Sequence, residues 1–480
     1  MANTFYWHDY ETFGADPSRD RPSQFAGLRT DEDLNPIGDP LVIYCQPQRD
    51  ILPSPQACLI TGITPQVALE NGLPEPQFIE LIHRQLSQPN TCGVGYNSIR
   101  FDDEVSRYCL YRNFYDPYQR EWQYGNSRWD ILDMLRLTRA LRPDGIQWTD
   151  HRDGKPSFKL EHLTAANNID HTSAHDALSD VTATIAMAKL IKQRQPKLFD
   201  YVVNHRGKTA VASLLNLNHR SPFLHVSGML PSDNMYCAIM MPLAKHPTNN
   251  NGIICVDLAA DPNMLIDLDA EQIRRRVFTS ADNLGDDESR IPLKVVHLNK
   301  APVVATHKLV DPLVAERLGL NVGRCEQHWG QLLQMDVSAK LQEVFSAPDY
   351  QPKIEAEQRL YERFLPNSDR QILEEVRKAT VVDLQQQRYQ FADQRYNELL
   401  LSYRARYFND TLTGEERATW RANCRWRLYD ESSGYLTIEQ LFKEIDELLS
   451  AEDLAPQKVD ILQSLRRWGK QVDREFAPTH

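Results

Sequence analysis

Long apolar runs are missing from this chain. Its best stretch, residues 236–243, is short and broken by Pro242, far below the roughly 18–20 residues of a membrane span, so no membrane association is expected. The opening residues, Met1-Ala2-Asn3-Thr4-Phe5-Tyr6-Trp7-His8-Asp9, lack a basic region followed by an apolar one, so they do not read as a signal peptide. Cysteine is sparse: eight residues, Cys45, Cys58, Cys92, Cys109, Cys237, Cys255, Cys325 and Cys424, with no CxxC pair. That argues against a zinc cluster, and a chain of this size needs no disulfide framework; free thiols in a reducing cytoplasm are expected. Positive charge is in deficit, with 54 Lys plus Arg against 66 Asp plus Glu and a formal net charge of −12. A generally basic coat for nucleic acid or anionic lipid is excluded, although a local basic groove is not. There is no internal repeat and no low-complexity tract. With 41% hydrophobic, 9% aromatic and 25% charged residues, collagen-like and disordered classes fall away.

What is present is enough for two or three domains. The chain has 480 residues, and a single core stops growing at roughly 250–300. Residues 1–196 alternate predicted strands (5–10, 41–45, 91–95) with helical patterns (76–86, 129–141, 176–194), the signature of an α/β domain. Pro196 fits a stop beyond the last helix. Residues 197–350 turn β-rich, with short runs at 223–226, 236–241, 252–258 and 293–298 separated by turn residues, and helical pieces at 270–276 and 340–345; a small barrel or sandwich is expected. Pro348 and Pro352 flank a linker, and residues 351–480 read as all-α. Three capping-box patterns mark helix starts there: Ser368 with Gln371, Thr413 with Glu416, and Thr437 with Gln440.

Three motifs carry chemistry. Asp9 and Glu11 sit two apart on a predicted strand, so their carboxylates leave the same face. They make either a divalent cation site with oxygen ligands suited to Mg²⁺ or a strand end reaching solvent. Asn97-Ser98-Ile99-Arg100-Phe101-Asp102 follows a strand and a Gly-x-Gly turn and opens a helix. Asp102 lies where α/β folds gather their sites, while Asp102, Asp103 and Glu104 also suit the helix dipole. His175 and Asp180 would lie about 140° apart on one continuous helix. They converge if His175 belongs to the preceding loop and Asp176 caps the helix.

The three motifs together, DxE, then Nx₃FD, then Hx₄D, resemble the DEDDh class of 3′→5′ exonucleases. The wider chain is similar to the bacterial exodeoxyribonuclease I family. His8-Asp9-Tyr10-Glu11-Thr12-Phe13-Gly14, Leu59-Ile60-Thr61-Gly62-Ile63-Thr64-Pro65, Arg112-Asn113-Phe114-Tyr115-Asp116-Pro117, Asn126-Ser127-Arg128-Trp129-Asp130, His225-Val226-Ser227-Gly228 and Tyr403-Arg404-Ala405-Arg406 carry the likeness. It implies an RNase H-like mixed-sheet exonuclease domain (1–196), an SH3-like middle domain (197–350) and a helical C-terminal domain (351–480). It also implies processive release of 5′-mononucleotides from the 3′ end of single-stranded DNA, in DNA repair and recombination. Asp9, Glu11, Asp102 and Asp180 are implied as ligands of two Mg²⁺ ions, replaceable by Mn²⁺, with His175 as general base and Glu11 also against the substrate. The acidic C-terminal tail of single-stranded DNA-binding protein is implied as a partner, and the protein as a monomer.

Basic and aromatic residues interleave between Arg100 and Lys159, the pattern of a sequence-neutral strand site. Arg107, Tyr118, Trp122, Arg136 and Lys159 are the candidate DNA contacts, although core and solvated-surface roles compete at each. A second cluster, Arg404, Arg406, Arg417, Arg421, Arg425 and Arg427, reads mainly as solvated helix faces. The rival functions are a DEDDh exoribonuclease or proofreading exonuclease, and a catalytically silent strand-binding scaffold.

Overall fold

Phe5, Tyr6, Trp7 and Tyr10 are buried and build a strand with both faces covered, β1 (Thr4–Thr12). The structure, a computed structural model, describes residues 3–171, 176–285, 288–346, 353–386, 389–450 and 454–477. Two units emerge that do not follow chain order: Met1–Ser127 with His171–Thr182 and Pro352–His480, and Arg128–Asp170 with Ala183–Gln351.

In the first unit β1 pairs antiparallel with β2 (Pro22–Thr30), and β2 antiparallel with β3 (Leu41–Cys45). The latter pairs parallel with the short β4 (Gly72–Leu73), and β1 pairs parallel with β5 (Thr91–Gly95) on its other side. The sheet is therefore mixed. Helices Glu75–Leu86 and Asp102–Arg112 cover one face through Phe78, Ile79, Ile82, Val105 and Cys109, which pack with Tyr6, Tyr10 and Phe25. Gly95 ends β5 where no side chain fits: a Cβ there would come within 2.5 Å of Ser98 Cβ and 3.0 Å of the His8 carbonyl. The chain then passes Asn97, whose φ is 60°, and a turn at Ser98–Arg100 before the Asp102–Arg112 helix.

Residues after 353 belong to this same unit. Helices Gln394–Tyr407, Gly414–Tyr429, Ile438–Leu449 and Pro456–Phe476 share a core with Phe13, Leu52, Cys58 and Ile63 from the N-terminal part. A buried lattice of charge joins the same two stretches. Arg21 pairs with Glu75 (3.7 Å) and Glu357, Arg112 with Glu75 (3.1 Å), Arg406 with Asp50 and Glu357 (2.6 Å each), and Arg427 with Asp50 and with Glu355 (2.5 Å). Four guanidiniums meet four carboxylates, so the cluster is close to neutral. Arg406 and Arg427 are thus internal ties, and the solvated-face reading is corrected for them. The expected capping boxes form at Thr413/Glu416 and Thr437/Gln440. At Ser368 none forms: its hydroxyl turns to Asp369, whose carboxylate already holds the N–H groups of Ala392 (3.1 Å) and Asp393 (3.0 Å).

The chain leaves the first unit along β6 (Ser127–Asp130), whose Asp130 caps the Ile131–Leu141 helix at Leu132 N. Trp129, expected in that helix, is on the strand. The second unit holds a small antiparallel pair, β7 (Thr149–Asp150) and β8 (Pro156–Ser157). Its main sheet has five antiparallel strands in the order β12-β11-β10-β9-β13. These are β9 (Phe223–Val226), β10 (Cys237–Lys245), β11 (Gly252–Asp257), β12 (Leu293–His297) and β13 (Val303–Thr306). Pro242 does not end β10. It sits at a register shift, where a residue without an N–H is tolerated. All eight cysteines are buried free thiols. No helix among the described residues is long and apolar enough to cross a membrane.

Candidate metal centre

Asp9 and Glu11 leave the same face of β1, opposite Ala26 and Gln24 of β2. Gln24 accepts the backbone N–H of Ala177 through Oε1 (3.3 Å), which fixes the start of the Ala177–Arg194 helix beside Glu11. Asp176 caps that start, accepting the Ser179 N–H at 3.1 Å. Asp180 follows one turn in. The outcome is that carboxylate oxygens of Asp9, Glu11 and Asp180 lie within 4.8 Å of one another.

Asp102 arrives from another direction. Pairing of β5 with β1 ends at Trp7↔Val94. Beyond that end the Tyr10 N–H, between Asp9 and Glu11, donates to Asp102 Oδ1 at 2.9 Å. Tyr10 is tied again through its hydroxyl, which accepts from Ser106 at 3.0 Å. Asp102 is buried, and its charge bears on both strand carboxylates. Burial, then Asp102, Glu11, Asp180 and Asp176, push the Asp9 carboxyl well above its ordinary range. Burial, then Asp180, Asp102 and Asp176, push Glu11 up to about 8. Crowded carboxylates resist ionising together unless a cation offsets them. An all-oxygen donor set of this kind fits a hard divalent ion.

Three acids open the Asp102–Arg112 helix and part ways. Only Asp102 turns to the cluster. Asp103 pairs with buried Arg120 (2.7 Å), and Glu104 with Arg107 (2.8 Å). His175 lies outside the described residues. A residue the motif reading passed over, His171, contacts Asp180 Oδ1 through Nε2. Its only signal in the sequence was a second histidine just upstream of His175.

The candidate DNA contacts separate by unit. In the first, Arg107 is internal. Its side chain is 5% exposed and its donors go to Glu104, to Glu121 (2.7 and 2.9 Å) and to the Tyr361 hydroxyl (2.8 Å). Tyr118 stands over Arg107 (5.3 Å to the ring centre) and is half-buried. Trp122 is 65% exposed. Tyr361 and Phe364, neither expected from sequence, flank Tyr118 with ring centres at 6.3 and 6.1 Å, and are 50% and 84% exposed. Only chain topology brings residues 118 and 364 together. In the second unit Arg136 pairs with Asp133 (2.6 Å) and lies under Tyr236 (4.7 Å) and Phe158 (5.7 Å). Lys159 extends into solvent near Glu161 (3.5 Å), its side chain 60% exposed.

A mixed sheet that gathers two acids at the end of its central strand, with further acids from two helix starts, defines a metal-dependent phosphoryl-transfer enzyme of the exonuclease class. Family models agree along the chain: "Exonuclease" over residues 6–188, "Exonuclease I SH3-like domain" over 206–347 and "Exonuclease I C-terminal domain" over 354–472. Exodeoxyribonuclease I of Escherichia coli strain K12 is 46% identical over 422 residues, 88% of this chain and 89% of its own. Among solved structures, a moderately thermophilic exonuclease I from Methylocaldum szegediense is 49% identical with a TM-score of 0.93, covering 98% of this chain and 100% of that one. Exonuclease I of E. coli in complex with a dA16 oligonucleotide is 43% identical with a TM-score of 0.94 and the same coverage. Related structures include a zinc-bound E. coli complex with single-stranded DNA and an SSB/exonuclease I complex with an inhibitor. The chain belongs to the exonuclease I family of DNA exonucleases.

Proposed function

We propose that this protein degrades single-stranded DNA processively from its 3′ end, releasing 5′-mononucleotides. The observation that carries this reading is the convergence of Asp9, Glu11 and Asp180 oxygens within 4.8 Å, with Asp102 charging the same site. These four side chains are assigned to hold two Mg²⁺ ions, with Mn²⁺ able to replace them. The ions supply Lewis-acid stabilisation of the attacking and leaving oxygens at phosphorus. His175 is assigned, from the family motif, to take the proton of the attacking water; an imidazole titrating near 6.5 suits that work at neutral pH. Glu11 also faces the terminal nucleotide. As the water oxygen bonds to phosphorus, the bond to the 3′ oxygen breaks and the mononucleotide leaves.

Strand binding is assigned to aromatic faces and a few cations. Tyr118, Tyr361 and Phe364 form an exposed shelf for base stacking, and Trp122 offers a further open face. In the second unit Lys159 is the open cation and Arg136 the half-buried one. Arg107, with its donors held inside the fold, is assigned to orient Tyr118 rather than to meet phosphate. The rest of the reading is a three-domain division at 1–196, 197–350 and 351–480, a cytoplasmic repair role, and docking of the acidic tail of single-stranded DNA-binding protein. The SSB/exonuclease I complex in the family supports that last point.

Pure protein with Mg²⁺ and a 5′-labelled single strand tests the reading. Loss of the full-length strand with few intermediate lengths, mononucleotide as the only small product, and no cleavage of an RNA of equal length are expected. Absence of metal-dependent release, or preference for RNA, overturns it.

A further inference from the structure

A cleft of about 710 Å³ lies wholly within the first unit and shares no residue with the metal centre. Its volume is that of a small-molecule site rather than a surface crease. Half-buried aromatic side chains stand along it: Tyr115, Tyr407 and Phe408.

The charge inside is one-sided once existing pairs are set aside. Each carboxylate of the cleft already has a partner: Asp50 holds Arg406 (2.6 Å) and Arg427, Glu475 holds Arg49 (2.6 Å), and Glu80 holds Arg84 (2.9 Å). Arg377, Arg417 and Arg421 have no carboxylate partner among the described residues. Arg417 and Arg421 each donate to one backbone carbonyl, of Asn409 (3.4 Å) and Glu475 (2.9 Å), leaving most of their N–H groups directed elsewhere. Arg377 lies over the Tyr115 ring at 4.1 Å. Unneutralised guanidiniums beside half-buried aromatic rings match an anion attached to a flat ring, because guanidinium bonds phosphate while aromatic side chains stack on a base.

We propose that this cleft binds a nucleoside 5′-monophosphate, its phosphate on Arg417 and Arg421 and its base among Tyr115, Tyr407 and Phe408. The choice of a nucleotide rests on the proposed function, since exonucleolytic release keeps mononucleotide in supply. The site itself stands on its own lining. The test is a binding measurement that never passes through cleavage, so it fails or succeeds separately from the nuclease reading.

In EDTA the metal centre has no cation to hold phosphate, so saturable binding by metal-free protein that the arginine substitutions below remove reports the cleft. Isothermal titration of that protein with dAMP should give saturable one-to-one binding. Deoxyadenosine and inorganic phosphate should each bind weaker by roughly tenfold or more, the worth of a lost charge-assisted bond or stack. The double variant Arg417→Glu/Arg421→Glu, at exposed positions, should lose dAMP binding by a similar factor while keeping Mg²⁺-dependent nuclease activity as proof of fold. Arg377→Ala should weaken binding as well. No saturable binding overturns the proposal, as does binding indifferent to the double variant. Inorganic phosphate binding as tightly as dAMP overturns it, and so does a tetra-aspartate peptide that competes on equal terms.

Discussion

At the scale of single residues, the site is a problem in electrostatics solved by backbone anchoring. Asp102 is not free to swing away from its like-charged neighbours, because its Oδ1 takes the Tyr10 N–H. Gln24 anchors the helix start that brings in Asp180. Asp180→Ala should therefore abolish turnover in a nuclease assay while leaving strand binding in the absence of metal measurable. Undiminished cleavage would remove Asp180 from the centre. His175→Ala should slow single-turnover cleavage by roughly 10²–10⁴, the usual worth of general acid–base catalysis; a few-fold loss would refute the assignment of the base. Phe364→Ala should weaken binding of a single strand by about 1–3 kcal/mol, measured by fluorescence anisotropy in EDTA, with no change in melting temperature, since an exposed ring contributes little to the core. The acidic residues were legible because DxE, Nx₃FD and Hx₄D carry them at fixed spacing. Phe364 and Tyr361 were not, because an exposed aromatic shows its purpose only beside Tyr118, far away in the chain.

At the scale of elements, local chemistry was readable where it acts alone. The bounds of β3, β5 and β9 agree with their apolar runs. By contrast, β2 was missed: Pro22-Ser23-Gln24-Phe25-Ala26-Gly27 has neither alternation nor a continuous apolar run. Its Ser23 and Gln24 are polar yet buried, and the latter works for the site. The capping boxes draw the same line. Thr413 and Thr437 have no competitor for their helix ends, whereas Asp369 is recruited by the 392–393 loop and takes Ser368 with it. Thr413→Ala and Thr437→Ala should each cost about 1 kcal/mol in denaturant unfolding, and Ser368→Ala much less. Equal losses at all three would contradict the geometry.

For the whole molecule, the lattice of Asp50, Glu75, Glu355 and Glu357 with four arginines sets the response to acid. Burial raises the Asp50 and Glu357 carboxyls, but Arg406 and Arg427, joined at Glu357 by Arg21 and Arg112, outweigh it. Both end below their ordinary values of 3.8 and 4.5. A carboxyl depressed on folding contributes stability in full above its unfolded value and loses it as pH falls through the folded one. With Mg²⁺ offsetting the acids of the metal centre, melting temperature should therefore hold from pH 7 to about 5 and drop below about 4. Glu357→Ala should cost about 3–5 kcal/mol at neutral pH by leaving four buried guanidiniums to share three carboxylates, with one positive charge uncompensated, and should flatten the acid limb. The net charge of −12 also acts at this scale. Strand binding has to rest on local contacts, so Lys159→Ala should reduce the slope of log affinity against log salt by about 0.7, one phosphate contact's worth.

The charge lattice has a further consequence in time. Arg21, Asp50, Glu75 and Arg112 emerge from a ribosome long before Glu355, Glu357, Arg406 and Arg427 are translated. Until then Glu75 serves both Arg21 and Arg112, while Asp50 has neither Arg406 nor Arg427 to pair with. The buried lattice of a nascent chain should thus stay half-built until synthesis has passed residue 427, so its share of stability would arrive only when nearly all of the protein has been made.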